Sequence, residues 1–492
     1  MDLFIGIDLG TSAVKLLLVD DKGNIVNSVT KEYPLILPKP GWSEQDPAEW
    51  WHAVVSGIKE LIADVDPASV KGIGAGGQMH GLVALDAADK IIRPAILWND
   101  GRTSEEVRYL NEDIGRSRLS EMTGNIAFAG FTAPKLLWMK KNEPENFGRI
   151  DKIMLPKDYI NYRLTGVHSC DYSDASGMLL LDVEHKCWSD EMLRICGVRK
   201  EQMPALYESY EVTGTVTPEV ADIFGFTGDV RVVAGAGDNA AAAVGTGTVG
   251  NGQCNISLGT SGTVFISSDT FGVDSGNGLH SFAHADGSYH LMGCMLSAAS
   301  CNKWWCEEIL GTKNFVGEQI DITDDDLGRN HVFFLPYLMG ERSPINDTDA
   351  RGTFTGLSMD SGRKDMMQAV LEGVAFAIRD NMEAAKSIGI SIKSSGLCGG
   401  GARSPLWRKM LANILGIELN IPKTEEGPGY GGAMLAMVGC GRYADVRACA
   451  DALIEISDTV KPDSEISARY EEKYQQFRKI YPAMKDLFPN IV

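Results

Sequence analysis

The sequence predicts a chain of two related α/β domains, and three observations carry that prediction. Phe4-Ile5-Gly6-Ile7-Asp8-Leu9-Gly10-Thr11-Ser12-Ala13-Val14-Lys15-Leu16-Leu17-Leu18-Val19-Asp20 reads as strand, tight turn, strand, with apolar residues loading both arms. Asn255 to Ile266 reads the same way, around a second Leu-Gly-Thr-Ser turn at Leu258-Gly259-Thr260-Ser261. A third strand, a helix and a fourth strand follow the first hairpin, and that is the element order of a ribonuclease-H-like α/β domain. Two such hairpins half a chain apart point to two related domains.

The third strand spans Asn24 to Lys31, after the turn Asp20-Asp21-Lys22-Gly23. Pro34, Pro38 and Pro40 mark an exposed loop. Asp46-Pro47-Ala48-Glu49 supplies an N-cap, a first-turn proline and an acid, so a helix starts there. Trp51, Val54, Val55, Ile58, Leu61, Ile62 and Val65 continue it as one apolar face. Val70 to Gly76 is the fourth strand.

Further helices are expected around Ser104–Leu110, Ala133–Asn142 and Asp190–Cys196, with another capped by Thr217-Pro218-Glu219. Val230 to Ala234 is a buried strand by its apolar run. It enters Gly235-Ala236-Gly237-Asp238-Asn239, and a helix begins over Ala240 to Val244. The glycine-rich Gly245 to Gly252 separates the halves, so the domains are set at 1–245 and 246–492. In the second half, strands are expected near Gln253–Ser257, Thr263–Ser267, Tyr289–Gly293, Val332–Leu335, Gly396–Cys398 and Glu418–Ile421. Met366, Val370, Val374, Ile378 and Met382 share one face of a helix from Gly362 to Ile388, and Ser404-Pro405 opens a helix to Leu415.

Composition narrows the class. The 492 residues are 44% hydrophobic and 23% charged, as in a globular protein. No apolar run reaches the length of a membrane span, and Met1-Asp2-Leu3-Phe4 leads straight into the first strand. A net charge of −20 argues against nucleic-acid binding. The ten cysteines include no CxxC pair, so reduced thiols and a cytoplasmic location are expected.

The hairpins carry the chemistry. Gly10 lets backbone N–H groups approach a phosphate, and Thr11 and Ser12 add hydroxyl donors. Asp8 beside such a turn makes sense with a divalent cation between acid and phosphate; an ordinary hairpin with a solvated Asp is the other reading. In the second hairpin Ser257 stands where the acid was. A phosphate chain gripped from both sides, with a metal on one side, fits the pair.

Gly399-Gly400-Gly401-Ala402-Arg403-Ser404-Pro405 follows a strand and opens a helix, where a flat ring or an anion can lie against backbone. A flexible turn is the alternative. Gly427-Pro428-Gly429-Tyr430-Gly431-Gly432-Ala433 starts a helix of small residues suited to close packing. Gly245 to Gly250 matches GxGxxG but follows a helix and precedes a strand, the wrong order for dinucleotide binding. No Walker A sequence is present. Gln78-Met79-His80-Gly81 sits at a strand end, a place to present side chains to a small ligand. Asp238, at a helix start, reads as a base for a hydroxyl kept ionised by the helix dipole, or as an N-cap.

Together these pieces resemble the FGGY family of carbohydrate kinases over nearly the whole chain. One family signature resembles Gly130 to Asn142, with Thr132, Lys135, Leu136 and Trp138 in place. The other resembles Gly352 to Glu372, with Phe354, Gly356, Leu357, Asp365, Ala369 and Glu372 in place. Gln78-Met79-His80-Gly81 and Leu97-Trp98-Asn99-Asp100 resemble ketopentose kinases rather than glycerol kinases, where an Arg-Glu pair is expected. Ala13, where Gly or Ser is frequent, is a small departure.

The resemblance implies two actin-like ATPase domains around a central cleft, and ATP, Mg2+ and a ketopentose as ligands. By motif, Asp238 becomes the catalytic base and Asp8 the metal-site or phosphate-site acid. Met79, His80, Asp100 and Asn239 become sugar contacts. Gly10, Thr11 and Ser12, with Gly259, Thr260, Ser261 and Gly262, would hold phosphates; Gly399, Gly400, Gly401 and Ala402 would pack on adenosine. No nucleic-acid or membrane partner is expected, and a homodimer is the candidate assembly. The rival readings are a family member acting on ribulose, a polyol or an aldonate, and an actin- or chaperone-type nucleotide switch without a sugar pocket.

Overall fold

The computed structural model describes residues 1–274, 276–424 and 426–491. Its first sheet contains β1 (Leu3–Leu9), β2 (Ala13–Asp20), β3 (Ile25–Glu32), β4 (Val70–Gly77), β5 (Val212–Thr215), β6 (Arg231–Val233) and the short β7 (Ala236–Gly237). The spatial order is β3-β2-β1-β4-β6-β5, with β7 beside β4. β1, β2 and β3 are antiparallel neighbours; β4 is parallel to β1 and β6 to β4. Alternation fails on β1 and β2, which are buried almost throughout, as expected for strands covered on both faces.

One cover is helix α1 (Pro47–Leu61), capped by the Asp46 carboxylate accepting from Ala48 N at 2.9 Å. Trp50, Val54, Ile58 and Leu61 face the sheet. A second helix, α2 (Asp238–Gly245), starts directly after β7.

The second sheet repeats the plan. Its strands are β8 (Gln253–Leu258), β9 (Gly262–Ser268), β10 (His280–Ala283), β11 (Tyr289–Met295), β12 (Ser394–Cys398), β13 (Glu418–Pro422) and β14 (Ile456–Val460), in the order β10-β11-β9-β8-β12-β13-β14. Again a hairpin is extended antiparallel on one side and parallel on the other. The two hairpins differ by one residue: Leu9 pairs with Val14, whereas Leu258 pairs with Gly262. The expected strand at 332–335 is present as Phe333–Leu335, but it pairs with Thr353–Thr355 in a separate two-stranded sheet.

Helices α3 (Arg363–Ser387) and α4 (Pro405–Leu415) pack the second core, where Trp407 Nε1 donates to Leu371 O at 3.0 Å. The glycine-started helix α5 (Gly427–Gly439) does something else: it lies on the first sheet. Contact is backbone to backbone. A Cβ on Gly6 would stand 1.8 Å from Gly429 O, and one on Gly74 would stand 2.1 Å from Gly432 O, so no side chain fits at either strand position. Packing is thus the role of this glycine run, and it ties the two sheets together. A last long helix, α6 (Ser464–Met484), closes the second core with Tyr470, Tyr474 and Phe477 buried.

Residues 82–206 add a body of short elements with its own apolar core, into which Phe282 and Met292 of the second sheet reach. From this body Trp98 Nε1 meets Thr11, just after β1, and Lys135 Nζ meets His80 O, just after β4.

Candidate active site

Two adjoining cavities flank the second hairpin. The wider, of about 890 Å³, is lined by Thr260, Phe315, Gly400, Gly401, Ser404 and Pro405 among others. It lies at the start of α4, whose cap is Ser404 Oγ accepting from Trp407 N at 3.1 Å. The narrower, of about 400 Å³, is lined by Asn239, Ser257, Ser261, Gly399, Gly427 and Pro428. Gly259 and Thr260 belong to both. A flat apolar group fits the first and a polar chain the second, with the hairpin between. Gly262 and Ala402 line neither cavity: Gly262 opens β9 against Ala298, and Ala402 is buried.

The narrow cavity ends beside Asp238. Asn239 lines it and donates to Asp238 Oδ1 from its backbone N at 2.7 Å and its side-chain Nδ2 at 2.9 Å. Asp238 is the first residue of α2, after the Gly237 cap. The expected sign of the dipole effect is reversed here. Burial, the largest cause, and the charge of Asp8 push the Asp238 carboxyl up to about 7, against the pull of both Asn239 hydrogen bonds. Burial likewise pushes Asp8 up to about 6, with Lys15 opposing and Glu426 assisting. Lys15 is itself paired with Glu426.

Two half-buried carboxylates therefore share a site with one half-neutralised cation. That donor set fits a hard divalent ion. Among the described residues no group of three or more His, Cys, Asp or Glu could cage a metal. The fit is to an ion that keeps its waters and shares its remaining positions with phosphate oxygens.

On the first hairpin, Gly10 N closes the turn on Ala13 O at 3.0 Å, and Ser12 is exposed. Thr11, expected as a phosphate donor, has its polar atoms engaged within the protein. Its hydroxyl donates to Gln78 Oε1 at 3.2 Å and accepts from Trp98 Nε1 at 2.9 Å, while its carbonyl accepts from Gln45 Nε2 at 2.6 Å. Thr11 thus anchors the turn to Gln45, Gln78 and Trp98.

His80 follows the end of β4 with φ 70, an uncommon conformation for a side chain of this size. Two residues of the first family signature hold it. Thr132 Oγ1 and Lys135 Nζ donate to His80 O at 3.0 and 2.8 Å. The ring packs on Phe131 at 4.7 Å between centroids, and Nδ1 lies 2.7 Å from Gly177 O. A carbonyl only accepts, so Nδ1 carries the proton and Nε2 keeps a lone pair. Burial, then the Lys135 charge, lower the imidazole pKa to about 3, so the ring is neutral. Met79 is buried against the Asp238 turn: a Cβ on Gly237 would meet its Sδ at 3.0 Å.

Asp100, expected as a sugar contact, has both carboxylate oxygens engaged within the protein. Oδ2 accepts from Ser43 N at 2.6 Å and Arg102 Nη2 at 2.7 Å, and Oδ1 from Arg102 N and Nε at 2.9 and 2.8 Å. Its carboxylate is spent on fixing the loop.

The sequence reading missed the support beneath Asp238. Gly237 N donates to Ser173 Oγ at 3.1 Å, and Ser173 Oγ donates to Asp171 Oδ2. Asp171 Oδ1 is 2.9 Å from the buried Lys157 Nζ, which also meets Asp158 at 2.6 Å and Asp174 at 3.6 Å. Although burial opposes its charge, these acids hold Lys157 well above its usual pKa. The only sequence signal is the spacing of Lys157, Asp158, Asp171 and Asp174, and nothing local shows that they converge.

Comparison with known proteins follows this geometry. Residues 3–245 match the model of the N-terminal domain of the FGGY family of carbohydrate kinases, and residues 254–440 that of its C-terminal domain. A xylulose kinase of Escherichia coli K12 is 43% identical over 487 residues, which cover 99% of this chain and 100% of the relative. The crystal structure of a "xyloylose kinase" of Brucella ovis superposes with a TM-score of 0.93 at 41% identity, covering 99% of this chain and 100% of that one. A ligand-bound xylulose kinase of Lactobacillus acidophilus gives 0.94 at 27% identity, with both chains covered at 100%.

Proposed function

The chain belongs to the FGGY family of carbohydrate kinases, and on that premise we propose that it transfers the terminal phosphoryl group of ATP to D-xylulose, giving D-xylulose 5-phosphate. It is an ATP- and Mg2+-dependent sugar kinase. The sugar is proposed because full-length relatives such as the Escherichia coli protein are xylulose kinases. The observation that carries the mechanism is the junction at Asn239: one residue lines the cavity beside the Gly259-Thr260-Ser261 turn and fixes the Asp238 carboxylate.

In this reading residues 1–245 supply the sugar and metal site, and residues 246–492 the nucleotide site. The adenosine lies in the wide cavity against Gly400 and Gly401, and the phosphates run along Gly259 to Ser261. Asp238 Oδ1 is held by Asn239, so Oδ2 is the oxygen free to take the proton of the sugar's terminal hydroxyl. His80 Nε2 accepts from a second hydroxyl. Asp8 would orient the hydrated Mg2+, which supplies charge neutralisation on the phosphates. The buried Ser173–Asp171–Lys157 chain keeps the Gly237–Asp238 turn in place. Ten cysteines, none of them in a disulfide among the described residues, support a cytoplasmic location.

The test is a sugar panel assayed for ADP release. D-Xylulose should give the highest kcat/KM. Faster turnover of ribulose, glycerol or gluconate would refute the sugar and keep the kinase. ADP release independent of every sugar would refute the kinase and favour a nucleotide switch.

A further inference from the structure

Around His80 most of the side-chain donors are already engaged. Lys135 Nζ gives its protons to His80 O and Gly130 O at 2.8 and 2.7 Å. Asn239 Nδ2 is on Asp238 and Trp98 Nε1 on Thr11; Arg102 gives Nε and Nη2 to Asp100 and Nη2 also to Glu44, and its buried Nη1 has no hydrogen-bond partner. A ketose presents a carbonyl oxygen, which can only accept. Asp238 and His80 Nε2, as acceptors, have nothing to offer it.

Arg342 offers a whole guanidinium. It comes from the second half of the chain and is half-buried. Among the described residues its guanidinium is in no ion pair, and Glu341, the residue before it in the chain, gives Oε1 to backbone amides. The guanidinium sits 4.8 Å over the ring of Phe128, which touches Phe131 at 5.5 Å, the ring that packs on His80. Its charge reaches His80 and His280, helping burial to keep both neutral. Burial pushes the Cys294 thiol up, the Arg342 guanidinium pulls it down and the Asp238 carboxylate adds to the rise. Cys294 thus stands where the fields of Arg342 and Asp238 overlap.

The backbone at this place is pinned. Ser343 N donates to Cys294 O at 3.0 Å, fixing the residue after Arg342 to the end of β11. Glu341 Oε1 accepts from Leu296 N and from Arg342 N, both at 2.8 Å. Glu341 therefore spends this oxygen on two backbone amides rather than on the guanidinium beside it. A buried acid next to an arginine that leaves the arginine's fork free is an arrangement for holding a third party.

We propose that Arg342 is a specificity-determining residue of the sugar site, donating its guanidinium N–H groups to the carbonyl end of the ketose. The proposal rests on the sugar-kinase reading and deepens it. Asp238 takes the reacting hydroxyl, His80 Nε2 accepts from the chain between, and Arg342 donates at the other end. Because Phe128 and His80 belong to the first half of the chain and Arg342 to the second, the sugar is gripped from both. A fixed cation at the carbonyl end also makes the pocket receptive to a carboxylate there, so a five-carbon sugar acid should compete with the ketose.

The experiment uses the full chain with Arg342→Met and Arg342→Lys, and the sugar that gives wild type its fastest ADP release. If that sugar is not D-xylulose, the proposed substrate falls while the test of Arg342 proceeds. Arg342→Met should raise the sugar KM about tenfold or more and lower kcat/KM by about 10–100-fold, with ADP affinity by calorimetry within about twofold of wild type. Xylonate should inhibit wild type competitively against the sugar, and Arg342→Met should weaken that inhibition at least as much. Arg342→Lys, which keeps the charge and loses the fork, should fall between. A sugar KM and xylonate inhibition unchanged in Arg342→Met would overturn the proposal. So would an equal loss of sugar and ADP affinity, the mark of a merely structural role. If Arg342→Met does not fold, Arg342→Lys decides: a sugar KM equal to wild type overturns the proposal, and a raised KM with unchanged ADP affinity supports it.

Discussion

The charge of Asp8, at the end of β1, raises the proton affinity of Asp238 at the start of α2. Burial starts the shift and Asp8 adds to it, so the proposed base and the proposed metal-site acid form one electrostatic unit. Neither carboxylate is comfortable as an anion until positive charge arrives. A base that is half-protonated near neutrality in the empty enzyme becomes fully competent when a cation settles beside it.

The first prediction concerns pH. Asp238 acts as a base only when deprotonated, so kcat/KM should fall as pH drops below about 7. Raising Mg2+ should move this limb to lower pH. Asp8→Asn removes a negative neighbour and should move the free-enzyme limb the same way, while abolishing most turnover through the loss of Mg2+ orientation. Turnover and Mg2+ dependence unchanged in Asp8→Asn would refute this role for Asp8.

The second prediction concerns His80. Its ring is neutral far below physiological pH, so it contributes no limb between pH 5 and 9. His80→Asn keeps a residue that tolerates φ 70. Losing the Nε2 acceptor should cost roughly 1–3 kcal/mol of transition-state binding, about 5–150-fold in kcat/KM for the sugar, with nucleotide affinity unchanged. A His80→Asn enzyme whose sugar KM and kcat both match wild type would show that the ring touches no substrate.

The third prediction concerns the contact between the halves. A methyl group at Gly6 would enter the space of Gly429 O. Gly6→Ala must push α5 off β1, and overpacking of this kind costs about 1–3 kcal/mol or more. Activity should fall further than stability, because α5 begins at Gly427 and Pro428, which line the narrow cavity. Thermal melting and kcat measured together check this. A stable variant with normal kcat would mean that the helix shifts without consequence for the site.

How much of this was legible follows from the range of the interactions. The hairpins around Asp8 and Ser257 could be read because their signal is local: alternating apolar runs about a glycine turn. Helix α6 was also written locally, in Ile466, Tyr470, Tyr474 and Phe477, yet its charged residues and Pro482 hid that stripe. Asp100 and Thr11 looked like free polar groups because their partners, Arg102 and Gln78, become partners only in the folded loops. The sign of the Asp238 shift was unreadable for the same reason. A helix dipole is visible in sequence, but burial and a second carboxylate 230 positions away are not. The two signatures marked Thr132 and Lys135 without saying that both hold one carbonyl, that of His80.

The last prediction tests the base itself with Asp238→Asn. Asp238 Oδ1 accepts from Asn239 N and Nδ2 at 2.7 and 2.9 Å, and an asparagine oxygen can accept both. Only the second oxygen becomes an amide, and with it goes the ability to take the hydroxyl proton. The turn should stay formed, since Gly237 N is held by Ser173 Oγ independently of the side chain. Stability should move opposite to activity. The Asp238 pKa is raised in the folded state, so the native protein binds the proton more tightly than the unfolded chain. The resulting penalty is absent below the unfolded pKa of about 4, grows with pH, and is fully present above about 7. Asp238→Asn should therefore melt higher than metal-free wild type at pH 8, by an amount on the order of 2–4 kcal/mol, and equally at pH 4. Its kcat should fall by about two orders of magnitude or more, the range for a general base, with ADP affinity retained. A stable Asp238→Asn enzyme with near-normal kcat on its best sugar would remove Asp238 from the mechanism. A less stable one at pH 8 would show instead that the carboxylate is held ionised by a partner, and the electrostatic unit with Asp8 would have to be abandoned.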